Sequence, residues 1–117
     1  MITKLLNEVN GLIATELSRA NEQHPMFHSD HEAWAVTREE YMETEDALKQ
    51  LEYELRYTDY MTRNDDTKGI EERVAKLRSC ALHVACEAIQ TAAMADKWLE
   101  SRRDKDDRDV RKMSEGI

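Results

Sequence analysis

The 117-residue chain has few of the residues that turns and crosslinks require: one proline, three glycines and two cysteines. Folds made of many short strands need frequent turns, and Pro and Gly supply much of the special backbone geometry in those turns. Charged residues make up 36% of the chain and hydrophobic residues 40%, a balance typical of water-exposed helices. The composition therefore predicts an all-α fold, and the length allows one domain with one core.

Long hydrophobic runs are also absent. No run approaches the roughly 18 residues that a membrane-spanning helix needs, and the first residues lack the apolar core of a signal peptide. We therefore expect a cytoplasmic protein with no membrane partner. Cys80 and Cys86 are six residues apart in a helical stretch, so their side chains point in different directions and are expected to be reduced thiols.

Acidic residues outnumber basic ones by 25 to 17, and the excess lies in the first hundred residues. Residues 101–117 hold six basic and five acidic side chains, which leaves 11 basic and 20 acidic side chains in residues 1–100. A protein that binds the phosphate backbone of nucleic acids needs a basic surface. The distribution argues against a nucleic-acid partner and favours a cation or a basic partner.

Apolar residues recur at three- and four-residue steps in three segments, which predicts three helices. The first covers residues 2–21 and is followed by a loop in which Pro25 disfavours helical geometry. The second begins just after Ser29, which has the capping-box spacing to Glu32, and runs to about Tyr60. Polar residues 64–69 predict a turn before the third helix, which is the longest of the three.

Two of these helices are long and joined by a short turn, so we expect a long antiparallel hairpin with the N-terminal helix packed across it. Three helices of this kind enclose a thin core, which further copies of the chain would complete in a homodimer or tetramer. Residues 1–100 form the predicted helical domain, and residues 101–117 form a charged tail. This tail could extend the third helix, form a short fourth helix on a partner, or fray.

Glutamates lie among apolar neighbours on the second and third helices. Glu40 and Glu43 project from one face of the second helix, and Glu87 lies in a mostly apolar part of the third. Buried carboxylates repel one another and need a cation, a proton or a basic partner. An all-oxygen site of this kind suits Mg²⁺ or Mn²⁺. The alternative is that they are surface residues paired with basic neighbours, such as His83 for Glu87.

The same segments resemble two family motifs. Glu39-Glu-Tyr-Met-Glu43 is similar to the E-E-x-x-E motif, and Glu87-Ala-Ile-Gln90 to the E-x-x-D motif, of the MazG-like all-α nucleoside triphosphate pyrophosphohydrolases. The segments 25–36 and 87–95 also resemble small MazG-like proteins common in phages and prophages. The resemblance covers roughly residues 12–99.

This resemblance implies an enzyme that cleaves a nucleoside triphosphate to the monophosphate and pyrophosphate, with Mg²⁺ held by carboxylates on helices. Carried over residue by residue, it assigns Glu40, Glu43, Glu87 and Gln90 as metal ligands, and Glu39 as the catalytic base that orients water. Gln90 stands where the motif has Asp, and its amide oxygen can coordinate Mg²⁺ without adding charge. The cationic side chains that would hold the triphosphate could be any of Arg38, Lys76, Arg78, Lys97, Arg102 and Arg103.

Two other functions compete with this hypothesis. One is a non-enzymatic acidic interaction protein, possibly phage-encoded, that binds a basic partner. The other is a carboxylate-bridged di-iron or di-manganese bundle, but this class uses E-x-x-H pairs, which the sequence lacks. His24, His28 and His31 have no known metal-site spacing and are expected to be surface residues. Convergence of the three glutamates in the structure is the observation that would favour the enzyme.

Overall fold

The computed structural model describes residues 2–115, except for the side chain of Glu115. It contains three α-helices and, over this range, no strand: α1 (Ile2–Gln23), α2 (Asp30–Arg63) and α3 (Ile70–Glu115). The protein is therefore all-α, as its composition predicts. None of these helices, as far as they are described, combines the length and apolar character needed to cross a bilayer.

Local chemistry explains where α1 ends and α2 begins. The end of α1 lies two residues before Pro25, whose ring disfavours helical geometry at the residue that precedes it. The Oγ atom of Ser29 accepts a hydrogen bond from the backbone N–H of Glu32 at 3.1 Å. This bond satisfies a donor that the first turn of a helix leaves free, so α2 starts where the capping-box spacing predicts.

The turn between α2 and α3 contains two residues with left-handed backbone geometry, Asp65 with φ 53° and Gly69 with φ 82°. Glycine adopts this geometry without a steric cost, and a short polar side chain such as Asp tolerates it. The backbone N–H of Asp66 bonds to the carbonyl oxygen of Met61 at 2.9 Å and closes the last turn of α2. The polar segment 64–69 thus forms the predicted turn.

Contacts divide the chain into two compact units. The terminal unit combines the residues up to Arg38 with those from Ile89 onward, and the hairpin unit is Glu39–Ala88. Both boundaries fall inside helices rather than in loops. The charged tail continues α3 without a break to Glu115, which is the first of the three expected alternatives. Gly116 and Ile117, the end of that tail, lie outside the described residues.

In the terminal unit, loop residues after α1 pack against α3. Phe27 is buried, and its backbone N–H donates a hydrogen bond to the Oγ atom of Ser101 at 3.0 Å. Lys97 is only 2% exposed, and its ammonium lies 5.1 Å from the centre of the Phe27 ring. Burial lowers the pKa of the Lys97 ammonium, although the charge of Glu32 opposes this effect. Lys97 therefore serves the interior of this unit.

In the hairpin unit, α2 and α3 run antiparallel. Near the turn, Nη1 of Arg73 lies 2.9 Å from Oε2 of Glu54. Far from the turn, Glu87 lies beside Glu40 and Glu43. Partners on α2 therefore have lower numbers as those on α3 have higher ones, which defines the antiparallel hairpin predicted from the sequence.

The two cysteines, Cys80 and Cys86, lie on α3 and are both free thiols. Their separation along one helix places the two side chains on different sides of its axis. The expectation from their spacing agrees with this arrangement.

Candidate metal centre

Three glutamates converge in the hairpin unit. Glu40 and Glu43 are three residues apart on α2, and Glu87 of α3 lies at the same level. One carboxylate oxygen from each lies within 4.8 Å of the other two. Among the side chains described, no other group of three or more His, Cys, Asp or Glu residues converges in this way. The arrangement on which the metal-site hypothesis depends is therefore present.

The three carboxyl groups differ in their contact with solvent. Glu40 and Glu87 are half-buried, whereas Glu43 is exposed. Within residues 2–115, the Oε2 atom of Glu40 is buried and has no hydrogen-bond partner. An unsatisfied buried oxygen costs free energy, so a cation or a proton at this atom would stabilise the folded protein.

Crowding raises the pKa of two of the carboxyl groups. Desolvation is the main cause of the raised pKa of Glu40, and the charges of Glu43, Glu87 and Glu39 add to it. Desolvation also leads for the raised pKa of Glu43, followed by the charge of Glu87 and a hydrogen bond with that residue. Without a cation, the ionised forms of both groups are therefore disfavoured.

Glu87 also contacts His83 on its own helix. The Nε2 atom of His83 lies 3.2 Å from Oε1 of Glu87, four residues further along α3. The sequence leaves two alternatives for Glu87, a surface pair with His83 and membership of the acidic cluster, and the structure contains both contacts. Because His83 is exposed, its pairing with Glu87 is a weak interaction and does not by itself balance the cluster.

The two remaining predicted site residues, Glu39 and Gln90, are both exposed. Glu39 precedes Glu40 on α2, and its charge contributes to the raised pKa values of Glu40 and Glu43. Gln90 follows Glu87 by three residues on α3 and belongs to the terminal unit. The role of Glu39 as a base and that of Gln90 as a ligand stay predictions.

The predicted phosphate-binding cations have different surroundings. Lys97 is buried beside Phe27, so its ammonium does not face open solvent. Arg102 forms an ion pair with Asp30, and Lys76 lies 3.8 Å from Glu72. The side chains that are exposed are Arg38, Arg78 and Arg103. Burial removes Lys97 from the candidates.

The histidine-rich loop is a surface segment. His24, His28 and His31 are all exposed, and the last two line a cleft of about 400 Å³ together with Arg102. In the part of the chain that is described, these histidines do not meet a set of further metal-ligating side chains. Their exposure agrees with the expectation of surface histidines.

Asp30 connects the first turn of α2 with α3 in the terminal unit. It accepts a hydrogen bond from the indole N–H of Trp98 at 2.8 Å and forms an ion pair with Arg102. These two contacts hold the pKa of Asp30 below its ordinary value. No spacing in the sequence links Asp30 to side chains so far along the chain, so this contact could not be predicted.

The fold and the side chains define a class in coarse terms: an all-α protein with three glutamates clustered in a helical hairpin. Comparisons with protein-family models, curated proteins and solved structures found no match for the chain. The function is therefore argued from the chemistry of the cluster and from the motifs that contain it.

Proposed function

We propose that this protein is a divalent-cation-dependent hydrolase of the MazG-like kind, which converts a nucleoside triphosphate to the monophosphate and pyrophosphate. The observation that carries the proposal is the convergence of Glu40, Glu43 and Glu87 within 4.8 Å. These residues come from the two motifs that resemble the family, one on each helix of the hairpin. A cytoplasmic location would give such an enzyme access to nucleotides.

The donor set fits Mg²⁺ or Mn²⁺. All three groups offer carboxylate oxygens, which hard divalent cations prefer. Oε2 of Glu40 is buried without a hydrogen-bond partner in the described residues, and a cation would satisfy it. Glu43 is exposed, so the cluster is accessible to solvent and to a charged substrate. Mg²⁺ commonly keeps positions for water and substrate phosphates beside a few carboxylates.

The residues of the cluster then have distinct roles. Glu40, Glu43 and Glu87 bind the cation, and Gln90 adds an uncharged amide oxygen. The bound cation supplies charge neutralisation at the phosphate oxygens and increases the acidity of water. Glu39 accepts a proton at its carboxylate from the water that attacks the α-phosphorus. The bond from that phosphorus to the pyrophosphate oxygen breaks, and pyrophosphate leaves with the electron pair.

A second candidate function is supported by the surface of the hairpin unit. Large apolar side chains such as Tyr41 and Leu48 are about half exposed there, which is typical of a protein that binds other proteins. An acidic, non-enzymatic interaction protein would release no pyrophosphate from any triphosphate.

Thermal melts with and without Mn²⁺ test the binding site. Glu87→Gln removes one charge from the cluster, and Glu52→Gln is the matched control, since Glu52 is exposed on α2 and pairs with Arg56. The parent and the control should gain the same melting temperature as free Mn²⁺ increases, and Glu87→Gln should gain much less. Equal gains in all three proteins would refute the site.

Release of pyrophosphate from a panel of nucleoside triphosphates tests catalysis. With Mg²⁺ present, the parent and Glu52→Gln should turn over at least one triphosphate, and Glu40→Gln should lose about 100-fold or more of that rate. A parent that is stabilised by Mn²⁺ but releases no pyrophosphate would be a nucleotide-binding relative without activity, and the enzymatic proposal would be wrong.

A further inference from the structure

The hairpin unit buries little of its apolar surface. Of its described residues, only Ala47 and Met61 are buried, whereas nine large hydrophobic side chains are at least 40% exposed. Contiguous apolar surface of this kind marks a contact with another molecule. Two helices alone form half of the four-helix arrangement that ordinarily encloses a bundle core.

One stripe of exposed residues on α2 repeats every seven positions. Tyr41, Leu48 and Leu55 are 53%, 52% and 56% exposed, and we call them the large stripe. A seven-residue repeat keeps apolar side chains in one line along a helix and is the signature of packing against another helix. The occupant of this surface is therefore helical.

A stripe of smaller residues with the same spacing lies on α3. Val74, Ala81 and Ala88 are seven residues apart, Ala85 lies beside them, and all four are exposed. We call these four residues the small stripe. Small side chains allow the backbone of another helix to approach closely, so this stripe can accept bulky side chains from a partner.

Both stripes lie on the same face of the hairpin. At 100° per residue, the large stripe lies roughly a quarter turn around α2 from Ala47 and Glu54, which face α3. The small stripe lies a similar angle, in the same sense, from Leu77 and Val84 of α3. Because the helices are antiparallel, the two rotations lead to the same side. Glu43 lies in the opposite sense, so the acidic cluster opens away from the stripes.

We propose that this face binds the same face of a second copy of the chain, so that two hairpin units form a four-helix bundle. A two-fold axis parallel to the helices places the large stripe of each copy on the small stripe of the other. Such a surface is self-complementary, because one hairpin supplies both the bulky line and the line that receives it.

The register of this dimer follows from the antiparallel contacts within each hairpin. The pairing of Glu54 with Arg73 fixes which residues of α2 and α3 lie at the same level. A two-fold axis along the bundle keeps these levels. Across the interface, the matched positions are Leu48 with Ala81, Tyr41 with Ala85 and Ala88, and Leu55 with Val74.

The exposed area is sufficient for a specific dimer. The two stripes expose about 500 Å² per copy, so their pairing alone reaches the approximately 1,000 Å² that a specific interface requires. Neither stripe contains a charged residue, so the face has no feature that would select a basic or an acidic partner over a second copy.

Sedimentation equilibrium of the full chain at micromolar concentration tests the proposal. The parent should have twice its chain mass of 13.7 kDa. Leu48→Glu puts two charges into the interface and should weaken the dimer at least about 100-fold. Leu82→Glu is the matched control, since Leu82 is 55% exposed on α3 but lies outside both stripes. A monomeric parent, or equal effects of the two substitutions, would overturn the proposal.

A charge-rescue pair tests the register and guards against misfolding. Ala81→Lys alone should also weaken the dimer, whereas Leu48→Glu combined with Ala81→Lys should restore it, since opposite charges then face each other. Circular dichroism would check that each variant remains helical. A double variant as monomeric as either single variant would contradict the register. Glu87→Gln should remain dimeric, which separates this test from that of the metal site.

Discussion

Glu40 is the residue at which the electrostatics of the cluster are concentrated. Its carboxyl group is partly buried, lies near three other glutamates and has one oxygen without a hydrogen-bond partner in the described structure. In the unfolded chain the same carboxyl is solvated and ionises at its ordinary pKa. At neutral pH and without a cation, Glu40 therefore lowers the stability of the folded protein.

Glu40→Gln should consequently have opposite effects with and without metal. It removes repulsion from the metal-free protein and should raise the melting temperature by about 3 °C, while most of the gain from Mn²⁺ should disappear. Glu45→Gln is a suitable control, since Glu45 pairs with Lys49 on α2 and should lose a little stability. A lower melting temperature for metal-free Glu40→Gln would contradict the account.

The raised pKa values of Glu40 and Glu43 also set the sign of a pH dependence. Between the ordinary value of 4.5 and the raised folded values, the folded state holds more protons than the unfolded state. The free energy of unfolding contributed by these groups should therefore fall as pH increases from about 4.5 through the folded pKa values, and then level off. Saturating Mn²⁺ should remove this decline, because the cation takes the place of the protons.

Urea unfolding across this pH range, compared between the parent and Glu40→Gln combined with Glu43→Gln, isolates the effect. Asp30 acts in the opposite direction, because its pKa is lowered, but it is present in both proteins and cancels in the difference. Stability of the metal-free parent that rises with pH relative to the double variant would show that the carboxyl groups do not repel.

Among the elements, the hairpin of α2 and α3 depends on a contact close to its turn. Arg73 forms an ion pair with Glu54 at 2.9 Å, and its guanidinium lies 4.0 Å from the centre of the Tyr57 ring. The side chain of Glu54 is only 12% exposed. This contact fixes the register that places Glu87 beside the glutamates of α2.

Arg73→Ala should lower the melting temperature by about 5 °C or more, because it leaves the poorly solvated carboxylate of Glu54 without its partner. The matched control is Arg56→Ala, which removes an exposed ion pair with Glu52 on one helix and should cost about 1 °C. Similar losses in the two variants would indicate that the contact does not hold the hairpin. The Mn²⁺-dependent gain should also shrink in Arg73→Ala alone.

Local patterns predicted the helices, because apolar periodicity, Pro25 and the cap at Ser29 act within a few residues. The tail of α3 was left open since it has few apolar residues, and its helix contains i,i+4 pairs such as Arg108 with Asp104 at 3.3 Å. Glu40 and Glu87 could be identified as charges among apolar neighbours. The burial of Lys97 depends on a distant loop, so no local pattern could reveal it.

For the whole molecule, the cluster adds to an already negative chain. The formal net charge is −8, and the described residues contain one cluster of three carboxylates per chain. The account therefore predicts one divalent-cation site per copy of the chain. Its affinity should decrease as salt increases, since part of the attraction comes from the surrounding acidic surface.

Titration of the full chain with Mn²⁺, followed by electron paramagnetic resonance of the free ion, tests this central claim most directly. The parent and Glu52→Gln should each bind one Mn²⁺ per chain, which Mg²⁺ should displace, and Glu87→Gln should lose about tenfold or more in affinity. Equal binding by the parent and Glu87→Gln, or no saturable Mn²⁺ binding by the parent, would contradict the account.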